Sequence, residues 1–308
     1  MATETVNLST RRGGGSNAPT IHPQQPMSAK RWWGELGWRY VVAAIAVVYA
    51  GFPILYVVSA SFASSGTLTG SNKLFGTITG TNYAALTETR FWDWVLNTLF
   101  IATVTAIGTT LMGAAAAYAF SRFRFTGRRV GLTSLLVIQM FPQLLAFVAV
   151  FLLLLALGNV VPVLGLNSQI ALIMVYLGGA LGVNTFLMYG FFNTVPKELD
   201  EAAKIDGATH AQIYWTIILR LVAPILAVVA LLSFISSFSD FLRAKLIRQS
   251  EDRWTLAGGL YQWVSDRLSA NWGLFAAGAV ISAIPVVLLF IFLQKYIVGG
   301  LTAGSVKG

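Results

Sequence analysis

Residues 94–120 read WVLNTLFIATVTAIGTTLMGAAAAYAF, an apolar stretch without a charged side chain. A helix needs roughly 20 predominantly apolar residues to cross the hydrocarbon core of a bilayer, which is about 30 Å thick. A membrane β-barrel would show short segments of alternating polarity instead. The stretch therefore predicts a membrane-spanning helix, and it decides the fold class.

The composition of the whole chain agrees with this prediction. Of its 308 residues, 56% are hydrophobic and 11% are charged, whereas about a quarter of the residues of a soluble domain are charged. Further apolar runs of similar length predict an all-α integral membrane protein with six transmembrane helices. The predicted spans cover residues 40–62, 94–120, 130–157, 169–192, 221–242 and 274–293.

The basic residues predict the orientation of these spans. Most of the 21 Lys and Arg residues fall in the N-terminal tail, the second-to-third and fourth-to-fifth connections and the C-terminus. Because cytoplasmic loops are enriched in Lys and Arg, both termini are expected to be cytoplasmic, an N-in/C-in topology. Several basic residues in the segment 243–272 argue against this orientation, but acidic neighbours partly balance them.

The same features predict the domain organisation. A polar stretch rich in Gly, Pro, Ser and Thr is typical of disorder, and mixed Trp and cations are typical of a headgroup interface. The predicted segments are a disordered cytoplasmic tail (1–29), an interfacial segment (30–39), a six-helix transmembrane domain (40–293) with a cytoplasmic loop (193–220) and an external loop (243–272), and a cytoplasmic C-terminal tail (294–308).

Several classes of function are disfavoured. The net charge of +9 does not indicate nucleic-acid binding, which usually shows as a basic face on a soluble domain. The chain has no cysteine, and His22 and His210 have neither metal-ligand spacing nor a nucleophilic partner. Without a G-x-x-x-x-G-K-[ST] motif the chain should bind no ATP, so a separate ATPase or an ion gradient must supply energy.

The predicted cytoplasmic loop contains residues 193–213, NTVPKELDEAAKIDGATHAQI, which are too polar to span a membrane. Pro196 suits the start of a short helix, and Gly207 suits the left-handed conformation that ends one. Thr209 and Gln212 then form a capping box for a second short helix.

The first short helix carries a small apolar stripe. Leu199, Ala202 and Ala203 are spaced i, i+3 and i+4, with Glu201 on an adjacent face. Such a surface suits docking into a cleft of another protein. From the residues alone, a hairpin packed on its own bundle remains an alternative.

The loop resembles the EAA loop of ABC importer permeases, since Glu201-Ala202-Ala203 is followed after three residues by Gly207 and, nine residues later, by Ile217 and Leu219. The resemblance implies the type I ABC importer permease fold. It also implies that the loop is a coupling helix, which docks on a separate ATPase that holds ATP and Mg. The implied docking residues are Leu199, Glu201, Ala202, Ala203 and Gly207. Arg220 replaces the proline of the family, a departure that concerns the start of the fifth helix.

Two further stretches, 118–125 (YAFSRFRF) and 300–308 (GLTAGSVKG), resemble the MalG-type permeases of maltose/maltodextrin importers. The resemblance covers roughly residues 38–308. It implies a cytoplasmic-membrane subunit that translocates maltose/maltodextrin-type oligosaccharides by alternating access. The implied partners are a second permease subunit of MalF type, two ATPase subunits of MalK type and an extracytoplasmic sugar-binding protein. Another sugar or a glycerol-phosphate compound remains open as the substrate.

A polar stripe on the fifth span suggests the translocation path. Ser233, Ser236, Ser237 and Asp240 recur at i, i+3, i+4 and i+7 on an otherwise apolar helix. Further candidates on other spans are Gln139, Gln143 and Asn184. Hydrogen bonding between helices is the alternative for all of them.

The external segment is rich in aromatic and amide groups. The resemblance implies that it contacts the binding protein, with Tyr261 and Gln262 as candidates, whereas anchoring at the membrane interface is the alternative.

An ion-coupled secondary transporter would need membrane-embedded ionisable relays, for which Asp240 is the one candidate acid. A membrane scaffold without transport activity is a third hypothesis.

Overall fold

The computed structural model describes residues 32–64, 74–76, 78–141, 143–265 and 271–303. The predicted disordered tail, 1–29, lies outside this part of the chain. The described residues form helices, and the extended pairing among them is an isolated bridge between Ala63 and Ile78. The prediction of an all-α protein is therefore confirmed.

Twelve helices among the described residues are numbered in chain order. They are α1 (Trp38–Ser61), α2 (Thr81–Leu86), α3 (Phe91–Arg122), α4 (Arg128–Gln139), α5 (Gln143–Val160), α6 (Gln169–Phe192), α7 (Glu198–Ile205), α8 (His210–Leu221), α9 (Ala223–Phe238), α10 (Leu242–Ile247), α11 (Leu256–Ser265) and α12 (Trp272–Ala303).

The chain divides into two compact units at Pro53 and Ile54. In the first unit a wide helical turn, Trp33–Gly37, precedes α1. There the ring of Trp32 stacks on Tyr40 with centroids 5.9 Å apart. The part of the predicted interfacial segment that the structure describes is therefore helical and aromatic. The second unit contains the rest of the described chain.

By length and composition, three helical stretches can cross a membrane, namely Trp33–Ser61, Phe91–Arg122 and Trp272–Ile297. Two bent pairs raise the number to five among the described residues if each pair is one span. One pair is Gln169–Gly179 with Gly182–Phe192, bent by 51°, and the other is His210–Leu221 with Ala223–Phe238, bent by 79°.

The third predicted span, 130–157, is not a single helix. Helix α4 ends at Gln139 and α5 begins at Gln143. The sequence has a proline at position 142, a residue type that disfavours the interior of a helix because it has no backbone N–H to donate. The apolar part of α5, Leu145–Val160, is shorter than a typical span.

The fifth and sixth predicted spans also differ from the structure. Helix α9 begins at Ala223 with Pro224 in its first turn and ends at Phe238, so it is shorter than the predicted 221–242. Arg220 lies in α8, just before the 79° bend. Helix α12 extends to Ala303, so much of the predicted C-terminal tail is helical. The predicted external loop contains α10 and α11.

Helix α3 is the centre of the second unit and packs along α6 and α9, while α12 packs against α9 and α2. Ala114 and Ala117 on α3 are 1% and 0% exposed. Small residues of this kind let helices approach closely, which is how membrane helices gain packing energy.

The segment between α10 and α11 is attached firmly to α3. The backbone N–H of Leu256 donates to Thr98 Oγ1 at 2.7 Å, and Asn97 Nδ2 donates to the carbonyl of Trp254 at 3.2 Å. The fully buried Arg248 donates to the carbonyls of Asn167 and Arg253. Its burial lowers the pKa of Arg248 to about 10.

A close approach at Gly259 gives a test of this attachment. A Cβ atom there would lie 1.9 Å from the ring of Trp94, so Gly259→Ala forces α11 or the ring to move. We expect a loss of about 1–3 kcal/mol in the free energy of unfolding. At the neighbouring Gly258 the nearest atom would be 3.8 Å away, so Gly258→Ala is the matched control. Equal melting temperatures of the two purified variants would contradict this packing.

Candidate functional site

Helix α7 begins at Glu198, two residues after the predicted start at Pro196, and Gly207 terminates it as the sequence predicts. Three acidic residues, Glu198, Asp200 and Glu201, occupy its first turn, where the helix dipole favours negative charge. Gly207 has φ of +84°, and the N–H groups of Gly207 and Ala208 donate to the carbonyls of Lys204 and Ala203 at 3.0 and 2.9 Å. This pair of hydrogen bonds is a Schellman motif.

The capping box of α8 is also confirmed. The backbone N–H of Gln212 donates to Thr209 Oγ1 at 3.3 Å, and the N–H of Thr209 donates to Gln212 Oε1 at 2.8 Å. Nearby, the rings of Phe123 and His210 lie 5.1 Å apart. His210 therefore packs on an aromatic ring at the start of α8.

The predicted apolar stripe of α7 is divided between two faces. Ala203 is buried in a cluster with residues of α3, α6 and α8, so it does not share an exposed surface with Leu199 and Ala202. The reason is that Ala203 lies on the same side of the short helix as the buried Asp200.

The opposite face of α7 is exposed. It presents Leu199 and Ala202, with Glu201 and Gly207 beside them, and Ile205 is 87% exposed. Sequence reasoning did not single out Ile205, although its position three residues after Ala202 is a helical spacing.

A buried ion pair attaches α7 to α3. Arg122 Nε lies 2.6 Å from Asp200 Oδ2, and the two side chains are 4% and 9% exposed. Arg122 also donates to the carbonyls of Phe192 at 3.2 Å and Val195 at 3.0 Å. The guanidinium thus joins the end of α3 to the end of α6 and to α7. Sequence reasoning missed this pair, because the two residues are far apart in the chain.

The polar path candidates meet at a cavity of about 260 Å³ between α3, α6 and α9. Its lining residues are Thr105, Gln139, Tyr176, Gly179, Val183, Asn184, Leu232, Ser233, Ser236, Ser237 and Arg243. The structure therefore brings together five of the seven path candidates, and Asp240 is not among the lining residues. The side chain of Gln143 lies outside the described ones.

Hydrogen bonds between helices occur in the same wall. Asn184 Nδ2 donates to Ser233 Oγ at 3.3 Å, and Gln139 Nε2 donates to the carbonyl of Gly179 at 3.0 Å. Within α9, Ser237 Oγ donates to the carbonyl of Ser233 at 2.7 Å. The hydroxyl of Thr105, which is 2% exposed, has no hydrogen-bond partner among the described residues.

Asp240 does not continue the polar stripe of α9, because that helix ends at Phe238. Instead, Asp240 Oδ1 accepts the backbone N–H of Arg243 at 2.9 Å, and Oδ2 lies 2.6 Å from Arg243 Nη2. The guanidinium of Arg243 also lies 5.0 Å from the ring centre of Tyr176. The prediction that Asp240 shares one helical face with the three serines is therefore wrong.

A larger groove of about 790 Å³ adjoins this cavity along α4, α5 and α6. Its walls are almost wholly apolar, and Gln139 and Arg243 stand where the two spaces meet.

The two candidates for contact with the binding protein lie on α11. Tyr261 and Gln262 are both exposed, and the ring of Tyr261 lies 4.6 Å from that of Phe241. Their accessibility is compatible with an interface, and the contact itself stays a prediction.

Comparisons with known proteins place the geometry in context. A family model described as "Binding-protein-dependent transport system inner membrane component" matches residues 109–302. The galactooligosaccharides transport system permease protein GanQ of Bacillus subtilis is 39% identical over 278 residues, which are 89% of this chain and 96% of GanQ. The maltose/maltodextrin transport system permease protein MalG of Salmonella typhimurium is 43% identical over 215 residues, 70% of this chain and 72% of MalG.

A similar solved structure is a crystal structure of a bacterial ABC transporter involved in the import of the acidic polysaccharide alginate. One of its chains matches with a TM-score of 0.72 and 25% identity, covering 88% of this chain and 99% of that chain.

The ion pair between Arg122 and Asp200 gives a test of how α7 is held. In Asp200→Asn the buried guanidinium loses its counter-charge, and breaking a buried pair typically costs about 3–5 kcal/mol. We therefore expect a lower melting temperature of the purified protein. Asp206→Asn, at an exposed position just after α7, serves as the control. The importance of the pair would be refuted if both variants melted like the parent.

Proposed function

Because the chain belongs to the family of binding-protein-dependent transport system inner membrane components, we propose that it is a subunit through which an ABC importer takes up oligosaccharides of the maltodextrin type. It is a multi-pass permease of the inner membrane and not an enzyme. The relatives named for galactooligosaccharide and maltose/maltodextrin transport support a neutral oligosaccharide as its substrate.

The proposed transporter contains four further components. These are a second permease subunit of MalF type, two ATPase subunits of MalK type that bind ATP and Mg, and an extracytoplasmic sugar-binding protein. The family description itself, which names dependence on a binding protein, supports the last of these. This chain carries no Walker A motif of its own, so it receives energy from its partners.

The proposed topology has six spans with both termini in the cytoplasm. Helices α4 and α5 would together cross as the third span, the bent helix α6 as the fourth and α9 as the fifth. The distribution of Lys and Arg supports this orientation, because α7 and the basic connection between α3 and α4 then share the cytoplasmic side.

The exposed face of α7 is the observation that carries the coupling role. It presents Leu199, Ala202 and Ile205 to solvent, and apolar groups exposed together mark surfaces for a partner. On its other side α7 is held by Asp200 and Ala203. A helix that is fixed to its own bundle and apolar outside suits the transfer of motion from an ATPase.

The route of this motion follows from the same contacts. A displacement of α7 acts through Asp200 on Arg122 and so on α3, which packs along α6 and α9. Residues of these three helices line most of the 260 Å³ cavity, which we assign to the translocation path. Rigid helices that contact the docking site and the path together are what alternating access requires. Tyr261 and Gln262, at the other end, are proposed to contact the binding protein.

The ion-coupled alternative depended on Asp240 as a membrane-embedded relay. Its carboxylate lies 2.6 Å from the guanidinium of Arg243 and also accepts the backbone N–H of Arg243, so both of its oxygens contact a residue three positions away in the chain. This arrangement favours the hypothesis of an ATP-driven importer over that of an ion-coupled transporter.

The docking proposal is tested by co-purification. Charge reversal or introduction at the centre of an interface typically costs at least about 2 kcal/mol, or roughly thirtyfold in affinity. We expect Glu201→Lys and Ile205→Asp to reduce the amount of ATPase that co-purifies with the two permease subunits, and to abolish sugar-stimulated ATP hydrolysis.

Glu88→Lys is the control for this experiment, because Glu88 is an exposed acid between α2 and α3, far along the chain from α7. Full recovery of the ATPase with both α7 variants, together with normal uptake, would refute the docking role of α7.

A further inference from the structure

The cavity between α3, α6 and α9 has a wall of hydroxyl and amide groups from several helices. Ser236 is exposed, and its hydroxyl makes no hydrogen bond with another described residue. Within the described part of the chain, the side-chain amide of Asn184 makes one hydrogen bond, to Ser233 Oγ. Gln139 must direct its NH₂ at the carbonyl of Gly179, which can only accept, so its Oε1 is left as an acceptor.

The cavity wall therefore carries more hydrogen-bonding groups than the contacts between its helices use. A buried polar group without a partner costs free energy, and the buried hydroxyl of Thr105 in the same wall has no hydrogen-bond partner among the residues that the structure describes. A cavity of about 260 Å³ holds roughly nine waters at about 30 Å³ each. A guest of similar volume with many hydroxyl groups, such as one sugar ring, would satisfy both the donors and the acceptors.

The charge of the cavity decides which sugars fit. Among the described lining residues, Arg243 is the one with a formal charge at neutral pH. Asp240 neutralises it from outside the wall through contacts of 2.9 Å to its N–H and 2.6 Å to its guanidinium. The two side chains are 20% and 11% exposed, so solvent screens the pair weakly. A free guanidinium here would attract carboxylates, whereas the paired one does not.

We propose that this cavity is a subsite for one ring of a neutral saccharide, and that the Asp240–Arg243 ion pair makes it prefer neutral over acidic saccharides. The inference rests on the proposed import function and adds the location of a sugar subsite in this subunit. It also identifies Asp240 as a positioning residue that acts on specificity through Arg243.

The test measures saccharide binding to the complete complex of permeases and ATPase in detergent, without the binding protein, so that no other component selects the sugar. The probes are maltotriose and a uronic-acid trisaccharide of equal length. Binding is followed by the shift of the unfolding temperature with saccharide concentration.

Ser236→Ala tests the location of the subsite. Losing one hydrogen bond to the sugar should weaken maltotriose binding about two- to tenfold without lowering the unfolding temperature of the free complex. Ser239→Ala is the matched control, since the Ser239 hydroxyl donates to the carbonyl of Ile235 and does not line the cavity. Equal affinity of Ser236→Ala and the parent overturns the location.

Asp240→Asn tests the selectivity. The amide keeps the acceptor for the backbone N–H of Arg243 but releases the positive charge, so the preference for maltotriose over the uronic-acid trisaccharide should fall about tenfold or more. Asp252→Asn, which removes the acid of an exposed pair with Arg253, should leave the preference unchanged. An equal preference in both variants overturns the role of the ion pair.

If Asp240→Asn does not assemble, the double variant Asp240→Asn/Arg243→Gln answers the question, because it keeps the cavity uncharged and should retain the parent preference. A parent complex that does not bind maltotriose, or a double variant that prefers the acidic trisaccharide, overturns the proposal. A parent complex that imports no oligosaccharide with its binding protein refutes the proposed function instead.

Discussion

The ion pair between Arg122 and Asp200 connects α7, the proposed docking helix, to the end of α3. Both side chains are nearly fully buried, and the guanidinium also holds the carbonyls of Phe192 and Val195. A buried pair of this kind adds little net stability compared with apolar packing, but losing one partner is costly. Its value lies in geometry, because α7 cannot shift without acting on the ends of α3 and α6.

A second ion pair, between Asp240 and Arg243, occupies the cavity region. In this pair Arg243 lines the cavity, whereas Asp240 contacts Arg243 without lining the cavity. Charges inside a membrane protein are expensive unless they are paired, so the pair keeps an arginine available without a net charge. Helix α3 connects the two ion pairs, since it carries Arg122 at its end and contributes Thr105 to the cavity wall. It packs against its neighbours through small residues such as Ala114 and Ala117.

Differences between the predicted and observed helices have a common cause. Hydropathy measures how apolar a run is, but it does not register where the backbone can continue as a helix. The predicted span 130–157 is therefore two helices in the structure, α4 and α5, and α9 ends at Phe238, before Asp240. Ala203 was predicted for the docking face and is instead buried. Residues three apart lie on the same face of a helix, so burying Asp200 also buries Ala203.

The sequence by itself determined the all-α membrane class, the end of α7 at Gly207, the capping box of α8 and the resemblance of the EAA loop. These features depend on composition and on contacts between residues close in the chain, which a single sequence displays directly. Only the tertiary structure decided that Arg122 meets Asp200, that Ile205 is exposed, and that Gln139, Asn184 and Ser236 line one cavity. Such relations join residues distant in the chain, and they follow from how α3, α6 and α9 pack against one another.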